Sequence, residues 1–218
     1  MTKLRIDLFT EISCPWCIIG LHRLDKVLME RFPQVEADLH HHPVILLDCP
    51  PEGFRIVDLM KSRYGITDPA KAWARPHAEA RTSGLDLDLA RQPFAYPTVG
   101  AHTLIRLAGP RGTQHSLAVA ITWAYFQDAA NIGDADVLAD IASNHGFARD
   151  EAYRLITDPL ELARTREEVA SATAQGVTSV PHFVFGAKFV LNGGRSEDEL
   201  AAAIERASAL ALEVRHVG

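Results

Sequence analysis

The stretch Leu4-Arg5-Ile6-Asp7-Leu8-Phe9-Thr10 sets apolar side chains at alternate positions, the period of a strand with one buried face. Shortly after it stands Ser13-Cys14-Pro15-Trp16-Cys17, and beyond that Leu21, Leu24 and Leu28 recur at helical spacing. The segment from Val35 to Leu47 begins with alternation and ends apolar, which reads as a second, largely buried strand. Strand, helix and strand in this order imply parallel pairing through a right-handed crossover. The cysteine pair therefore falls at a strand-to-helix turn, with Cys14 near the helix N-terminus. The unpaired N–H groups and positive dipole end found there favour a thiolate.

The turn residues Asp48-Cys49-Pro50-Pro51-Glu52-Gly53 stop the second strand. From Phe54 to about Gly176 the pattern is helical, and little of it looks like strand. Helices are predicted over Phe54–Tyr64, from Asp68-Pro69 onward, and over Val99–Leu107, Gln114–Ala129, Asp136–Asn144, Asp150–Thr157 and Asp158–Ala174. Asp before Pro supplies an N-cap and a first helical residue at two of these starts, and Gly176 is a C-terminal stop. Gln92 to Pro97 reads as a loop. The strand pattern then returns at Pro181–Phe185 and Lys188–Leu191, joined by Gly186-Ala187 as a hairpin turn. Ser196 and Glu199 form a capping-box pattern for a last helix running to about Leu212. The predicted fold class is α/β, in the order β-α-β, helical insertion, β-β-α.

The chain has 218 residues, enough for one large domain or two small ones. A net charge of −6, with no polybasic run, argues against a nucleic-acid partner. No apolar run approaches membrane-spanning length. The N-terminus enters its strand without a leader-like segment, so a cytoplasmic address is expected.

A Cys-x-x-Cys pair either exchanges disulfides or holds a metal. Structural zinc usually wants a second matched pair, and the third cysteine, Cys49, stands alone. His40, His41 and His42 lie on a predicted strand and point to alternating faces, so they offer one or two ligands at most. This favours redox chemistry with no metal, without closing the alternative. Pro15 removes an N–H inside the motif, and Trp16 gives the rim an apolar surface. Pro181 opens a late strand directly after Val180. Local sequence alone would make that peptide bond trans. Its place at the head of the ββα half, opposite the half that carries the cysteines, makes cis the expectation. The Val180 carbonyl and N–H would then face the site and could pair with an extended substrate.

These features together resemble the DsbA-like thioredoxin superfamily, and within it the FrnE-type oxidoreductases. The similarity rests on Cys14-Pro15-Trp16-Cys17-Ile18-Ile19-Gly20, Pro50-Pro51-Glu52-Gly53, Gly100-Ala101-His102, Ala124-Tyr125-Phe126 with Asp134 to Leu138, and Gly176 to Pro181 with Phe183. Pro97 stands where that family commonly has asparagine, and Ser179 where it has glycine. The resemblance implies a thioredoxin-like domain built from residues 1–50 and 177–218, with a helical insertion domain over 51–176, and it implies a cis Pro181. It also implies thiol–disulfide exchange, with Cys14 as nucleophile, Cys17 as resolving thiol and Pro181 beside them. Pro15, Trp16, Val180 and His102 would contact substrate. Related glutathione transferases and 2-hydroxychromene-2-carboxylate isomerases carry serine in place of Cys14 and use glutathione. They suggest Gly194, Arg195 and Ser196, at the start of the last helix, as a carboxylate-binding loop. The expected partner is a thiol or disulfide, protein or glutathione, with no tightly bound cofactor and glutathione at most a co-substrate. The alternative activity is a glutathione-dependent isomerase or transferase. Apolar helices of the insertion could form a homodimer face.

Overall fold

In a computed structural model, which describes the backbone of residues 2–216 and the side chains of 3–210, the alternating N-terminal segment forms β1 (Thr2–Thr10). Its Leu4, Ile6 and Leu8 are buried on one face. Helix α1 (Pro15–Arg31) follows, then β2 (Val35–Pro43), which lies parallel to β1 with Leu8 opposite His41. The strands β5 (His182–Phe185) and β6 (Phe189–Asn192) complete a four-stranded sheet in the order β2-β1-β5-β6, with β5 antiparallel to both neighbours. Gly186 and Ala187, at φ of 57° and 58°, make the tight turn between them, a conformation that matches the strand twist. Helix α9 (Glu197–His216) closes the chain. Leu21, Leu24 and Val27 of α1 and Leu200, Ile204 and Ala207 of α9 cover one sheet face together with Phe183 and Phe185.

Between β2 and β5 the chain forms α2 (Ile56–Tyr64), α3 (Pro69–Thr82), α4 (Val99–Leu107), α5 (Gln114–Gln127), α6 (Ala135–Ser143), α7 (Arg149–Thr157) and α8 (Pro159–Ala174). Leu104, Leu117, Ile121, Tyr125 and Leu138 form their core. Ile12, Ile18 and Ile19, from around the cysteine motif, are buried in that same core. The inserted helices are thus packed directly against the segment that carries the cysteines.

Four local expectations are corrected. The second strand stops at Pro43 rather than running to Leu47. The Val44 N–H still reaches Thr10 O at 3.1 Å, but the chain then turns away, and Leu46 and Leu47 line a groove instead of a buried ladder. Phe54-Arg55 is not the start of a helix. It forms β3 (Phe54–Arg55) and pairs antiparallel with β4 (Phe94–Ala95), inside what was read as loop. Asp68 holds the N-cap position of α3, as read, but its carboxylate makes no capping hydrogen bond and faces Lys71 at 3.5 Å instead. The cap of α6 is Asp134, whose carboxylate accepts from the N–H groups of Asp136 and Val137. At the last helix the capping box forms as read: Ser196 N–H donates to Glu199 Oε2 at 2.9 Å, and Glu199 N–H donates to Ser196 Oγ at 3.2 Å.

A single close approach fixes how α1 meets the late strand. A Cβ at Gly20 would lie 2.9 Å from Pro181 Cγ and 3.0 Å from Phe183 Cζ. Gly20 is one turn beyond Cys17, on the same side of the helix, so this contact seats Pro181 against α1 one turn past the cysteine motif. Gly20→Val should cost about 1–3 kcal/mol through overpacking. Chemical denaturation of the variant would show this, and unchanged stability would mean that Pro181 and Phe183 give way at no cost.

Candidate active site

Cys14 occupies the N-cap of α1 in extended conformation (φ −87°, ψ 120°). Its carbonyl accepts from the Cys17 N–H at 2.9 Å and from Ile18 at 3.4 Å, and its own N–H donates to Glu11 O at 3.1 Å. Pro15 is the first helical residue, where the missing N–H has no intrahelical partner to lose. Both thiols are free. Cys14 is half-buried and Cys17 is 1% exposed.

This geometry splits the two thiols. Cys14 lies below the ordinary thiol pKa, first because the Cys17 side chain hydrogen-bonds to it. The N–H groups of Cys17 and Trp16 add to this, while burial and the nearby Glu11 charge oppose it. Cys17 is pushed well above the ordinary value, first by burial and then by its bond to Cys14. One thiol is therefore available as a thiolate and the other is held as a proton-bearing reserve. Cys49 is half-buried and pushed up to about 11, by burial first and then by Glu11 and Asp48, so it does not compete as nucleophile.

The Val180–Pro181 peptide bond is cis. The β5 ladder begins only at His182, so the Val180 backbone precedes the paired strand. Trp16 is held from two sides. Gly194 packs so closely that a Cβ there would meet Trp16 Cε3 at 2.5 Å, and the exposed Arg75 of α3 stands over the indole at 5.1 Å from its centroid. A groove of about 250 Å³ opens at Cys14 and Pro15, walled by Leu46, Leu59, Trp73 and Tyr125 among others, with no charged side chain in its lining.

The remaining sequence candidates separate. Gly194 supports Trp16. Arg195 is tied down, with Nε donating to Asn192 O at 2.7 Å and an NH group to Glu199 at 3.0 Å. The Ser196 N–H is taken by Glu199, so an incoming carboxylate at this helix start would have to displace a side chain already bound there. His102 does not face the groove. It is 3% exposed and sits behind the cysteines, with Nε2 3.6 Å from Glu11 Oε1. The triple histidine divides as its strand period requires. His40 and His42 pair with Asp38 and Asp7 at 3.2 and 2.8 Å. His41 turns inward to His115 at 2.9 Å, which in turn reaches Asp25 at 2.8 Å.

Two residues were missed. Glu11 is 1% exposed, and its N–H donates to Cys17 Sγ at 3.4 Å. A lone acid wedged between Thr10 and Ile12, just before the motif, was the signal available. Arg23 is 3% exposed and stands on the buried face of α1. It joins α1 to α3 and to the loop ahead of α9, and a charge on an otherwise apolar helical stripe could have revealed it.

A model of the DSBA-like thioredoxin domain matches residues 5–205. Among solved structures, the chain is similar to a probable DsbA oxidoreductase from Streptomyces coelicolor, at 25% identity and TM-score 0.82 over 94% of this chain and 89% of the other. It is also similar in fold to a 2-hydroxychromene-2-carboxylate isomerase (13% identity, TM-score 0.70, 98% and 99% covered). A third likeness is to the cytosolic disulfide reductase DsbM from Pseudomonas aeruginosa, solved with GSH (15% identity, TM-score 0.64, 97% and 99% covered). No curated protein matches the chain. Among the described residues, no helix is long and apolar enough to cross a membrane. With nearly the whole chain matched by the family model, and with a helix-capping cysteine pair beside a proline that opens a late strand, the chain belongs to the DSBA-like thioredoxin domain family.

Proposed function

We propose that this protein is a FrnE-type thiol–disulfide oxidoreductase acting through the Cys14–Cys17 dithiol. The observation that carries the reading is the split between the two thiols: Cys14 lowered at a helix N-cap, Cys17 buried and raised. In the reducing direction the Cys14 thiolate attacks a substrate disulfide, one substrate sulfur leaves, and a mixed disulfide forms. Cys17 then attacks Cys14 Sγ and releases the second substrate thiol. In the oxidising direction a substrate thiolate attacks the Cys14–Cys17 bridge. The uncharged groove beside Cys14 suits apolar residues flanking a substrate cysteine, and Val180 offers backbone groups to an extended chain. A cytoplasmic address belongs to this reading, supported by the cytosolic relative.

The fold likeness to an isomerase and to a reductase solved with GSH favours glutathione as a second substrate. The two cysteines tell against a transferase that does not need them. Calorimetry separates the two: tight glutathione binding that survives loss of both cysteines would favour the transferase.

The direct test is to trap the mixed disulfide. A Cys17→Ser chain mixed with glutathione disulfide or a disulfide-linked peptide should accumulate one adduct, on Cys14, by mass spectrometry. No adduct would sink the reading. Alkylation gives the matching pH dependence. Its rate rises with pH as Cys14 becomes a thiolate, with a midpoint below that of an ordinary thiol. Cys17→Ala removes the leading cause of the lowering, so the midpoint should move up and alkylation at neutral pH should slow. An unmoved midpoint would assign the lowering to the helix alone.

A further inference from the structure

A substrate seated at Cys14 meets surfaces of two kinds. The groove is uncharged, and its two buried polar side chains are turned to the protein. Gln92 donates to Tyr125 O and Ala130 O at 3.0 and 3.2 Å and accepts from the Phe94 N–H at 3.0 Å. The Tyr125 hydroxyl donates to Phe94 O at 3.0 Å. The groove therefore accepts apolar bulk, and polar selection falls to residues outside it, around Trp16.

Two arginines stand near that indole, and they differ. Arg195 follows Gly194, which packs against the ring, but its donors go to Asn192 O and Glu199. Glu199 also holds the Ser196 N–H, so the start of α9 is closed to an incoming anion. Arg75 lies over the ring from α3, 5.1 Å from its centroid, and is exposed. Among the described residues its guanidinium has no carboxylate partner and no hydrogen bond to the protein. A guanidinium packed on an aromatic face keeps its fork of N–H donors for a carboxylate.

The mount of Arg75 is firm. Arg23 of α1 donates to Glu79 O and Oε2 of α3 at 2.8 and 2.7 Å, which ties α3 to the helix that carries Trp16 and Cys17. The charge is not spent on the nucleophile either. Cys14 is lowered by Cys17 and by two backbone N–H groups, with no cation among the causes. The whole chain carries a net charge of −6 and repels anions at long range, so a cation at the entrance of the site changes what can approach it.

We propose that Arg75 selects substrates that carry a carboxylate close to the reacting sulfur. The apolar part of such a substrate lies in the groove, and its carboxylate meets the Arg75 guanidinium over Trp16. An acidic residue beside a peptide cysteine and a small anionic thiol share this chemistry. The inserted helices would then set specificity through α3 as well as walling the groove.

This inference rests on the dithiol reading above, and its test uses matched pairs of disulfides that release a coloured thiol. One pair is 5,5′-dithiobis(2-nitrobenzoate) and its uncharged carboxamide. The other is a cysteine peptide activated as its thiopyridyl disulfide, with Glu or Gln next to the cysteine. Within each pair the ratio of burst rates is divided by the ratio for a small free thiol, which removes intrinsic reactivity. The reduced wild-type chain should favour the carboxylate by about 3- to 10-fold, the worth of an arginine–carboxylate contact at a partly exposed site. Arg75→Gln should bring the corrected ratio to about one, and Arg75→Lys, a point charge without the fork, should keep part of it. Preference in the peptide pair alone assigns an acidic peptide, in the aromatic pair alone a small anionic thiol, and in both any carboxylate at that distance. No preference in wild type overturns the proposal. So does a preference that survives in Arg75→Gln, including one where both members of a pair slow alike, since the charge would then act on Cys14 or on Trp16. Should that variant fold poorly, salt decides on the wild-type chain. Raising ionic strength from about 0.05 to about 0.5 M should shrink the corrected preference, and a preference indifferent to salt overturns the proposal. Absence of any burst in wild type would bring down the dithiol reading and the proposal with it.

Discussion

Cys14→Ser should reduce insulin reduction or dithiol oxidation by roughly 1000-fold or more, because a hydroxyl is not ionised near neutral pH and the nucleophile acts as a unit with its partner. The expected losses are unequal across the three cysteines. Cys17→Ser should still form an adduct with substrate but stall there, since the resolving thiol is gone. Cys49→Ser should leave turnover close to wild type, because burial and two neighbouring acids hold that thiol protonated. Steady-state turnover together with adduct mass for each variant checks all three. Full activity in Cys14→Ser would overturn the mechanism, and a stalled adduct on Cys49 would redirect it.

The second large effect is on stability. Arg23 is almost wholly buried, and all three nitrogens of its guanidinium donate hydrogen bonds. Nε donates to Ser83 Oγ at 2.5 Å and one NH group to Arg195 O at 2.9 Å. The other NH group reaches Glu79 O, Glu79 Oε2 and Thr82 Oγ1 at 2.8, 2.7 and 3.0 Å. Arg23→Ala leaves these acceptors without their donor and should cost about 3–5 kcal/mol. For a chain of this size that corresponds to a fall in melting temperature of about 6–20 °C. Arg23→Lys should recover little, since an ammonium cannot reproduce the planar fork. Turnover should fall too, because the Arg195 carbonyl anchors the loop whose Gly194 supports Trp16. Thermal melts of the three chains, with activity measured well below each midpoint, check both parts. A loss under 1 kcal/mol would show that the clamp is dispensable.

How far the sequence reveals this molecule depends on the length over which a signal repeats. The limits of α8 were readable because Asp158 and Pro159 mark its start and Gly176 its end, and α4 keeps its predicted span Val99–Leu107. The β3–β4 ribbon was not, because two-residue strands have no periodicity. Leu46 and Leu47 look alike in sequence whether they fill a ladder or wall a groove. Only the turn after Pro43, set by tertiary contacts, decides which. Within the site, the cysteines and Pro181 were legible from motif and position. Glu11 was not, because what makes it notable is its burial among Leu46, Thr98 and His102, which are distant in sequence. His102 was singled out for substrate contact, and the structure turns it towards Glu11 instead.

The order of assembly follows from the path of the chain. β1 leads into the cysteine motif, while its hydrogen-bonded neighbour β5 and Pro181 follow only after all the inserted helices. A ribosome therefore delivers the cysteine pair well before its opposite wall. Until β5 is made, one edge of β1 is free and Gly20 lacks its contacts with Pro181 and Phe183. The nascent chain thus carries its dithiol for a time without the strand that completes the sheet beside it, and the proposed exchange chemistry waits on that strand.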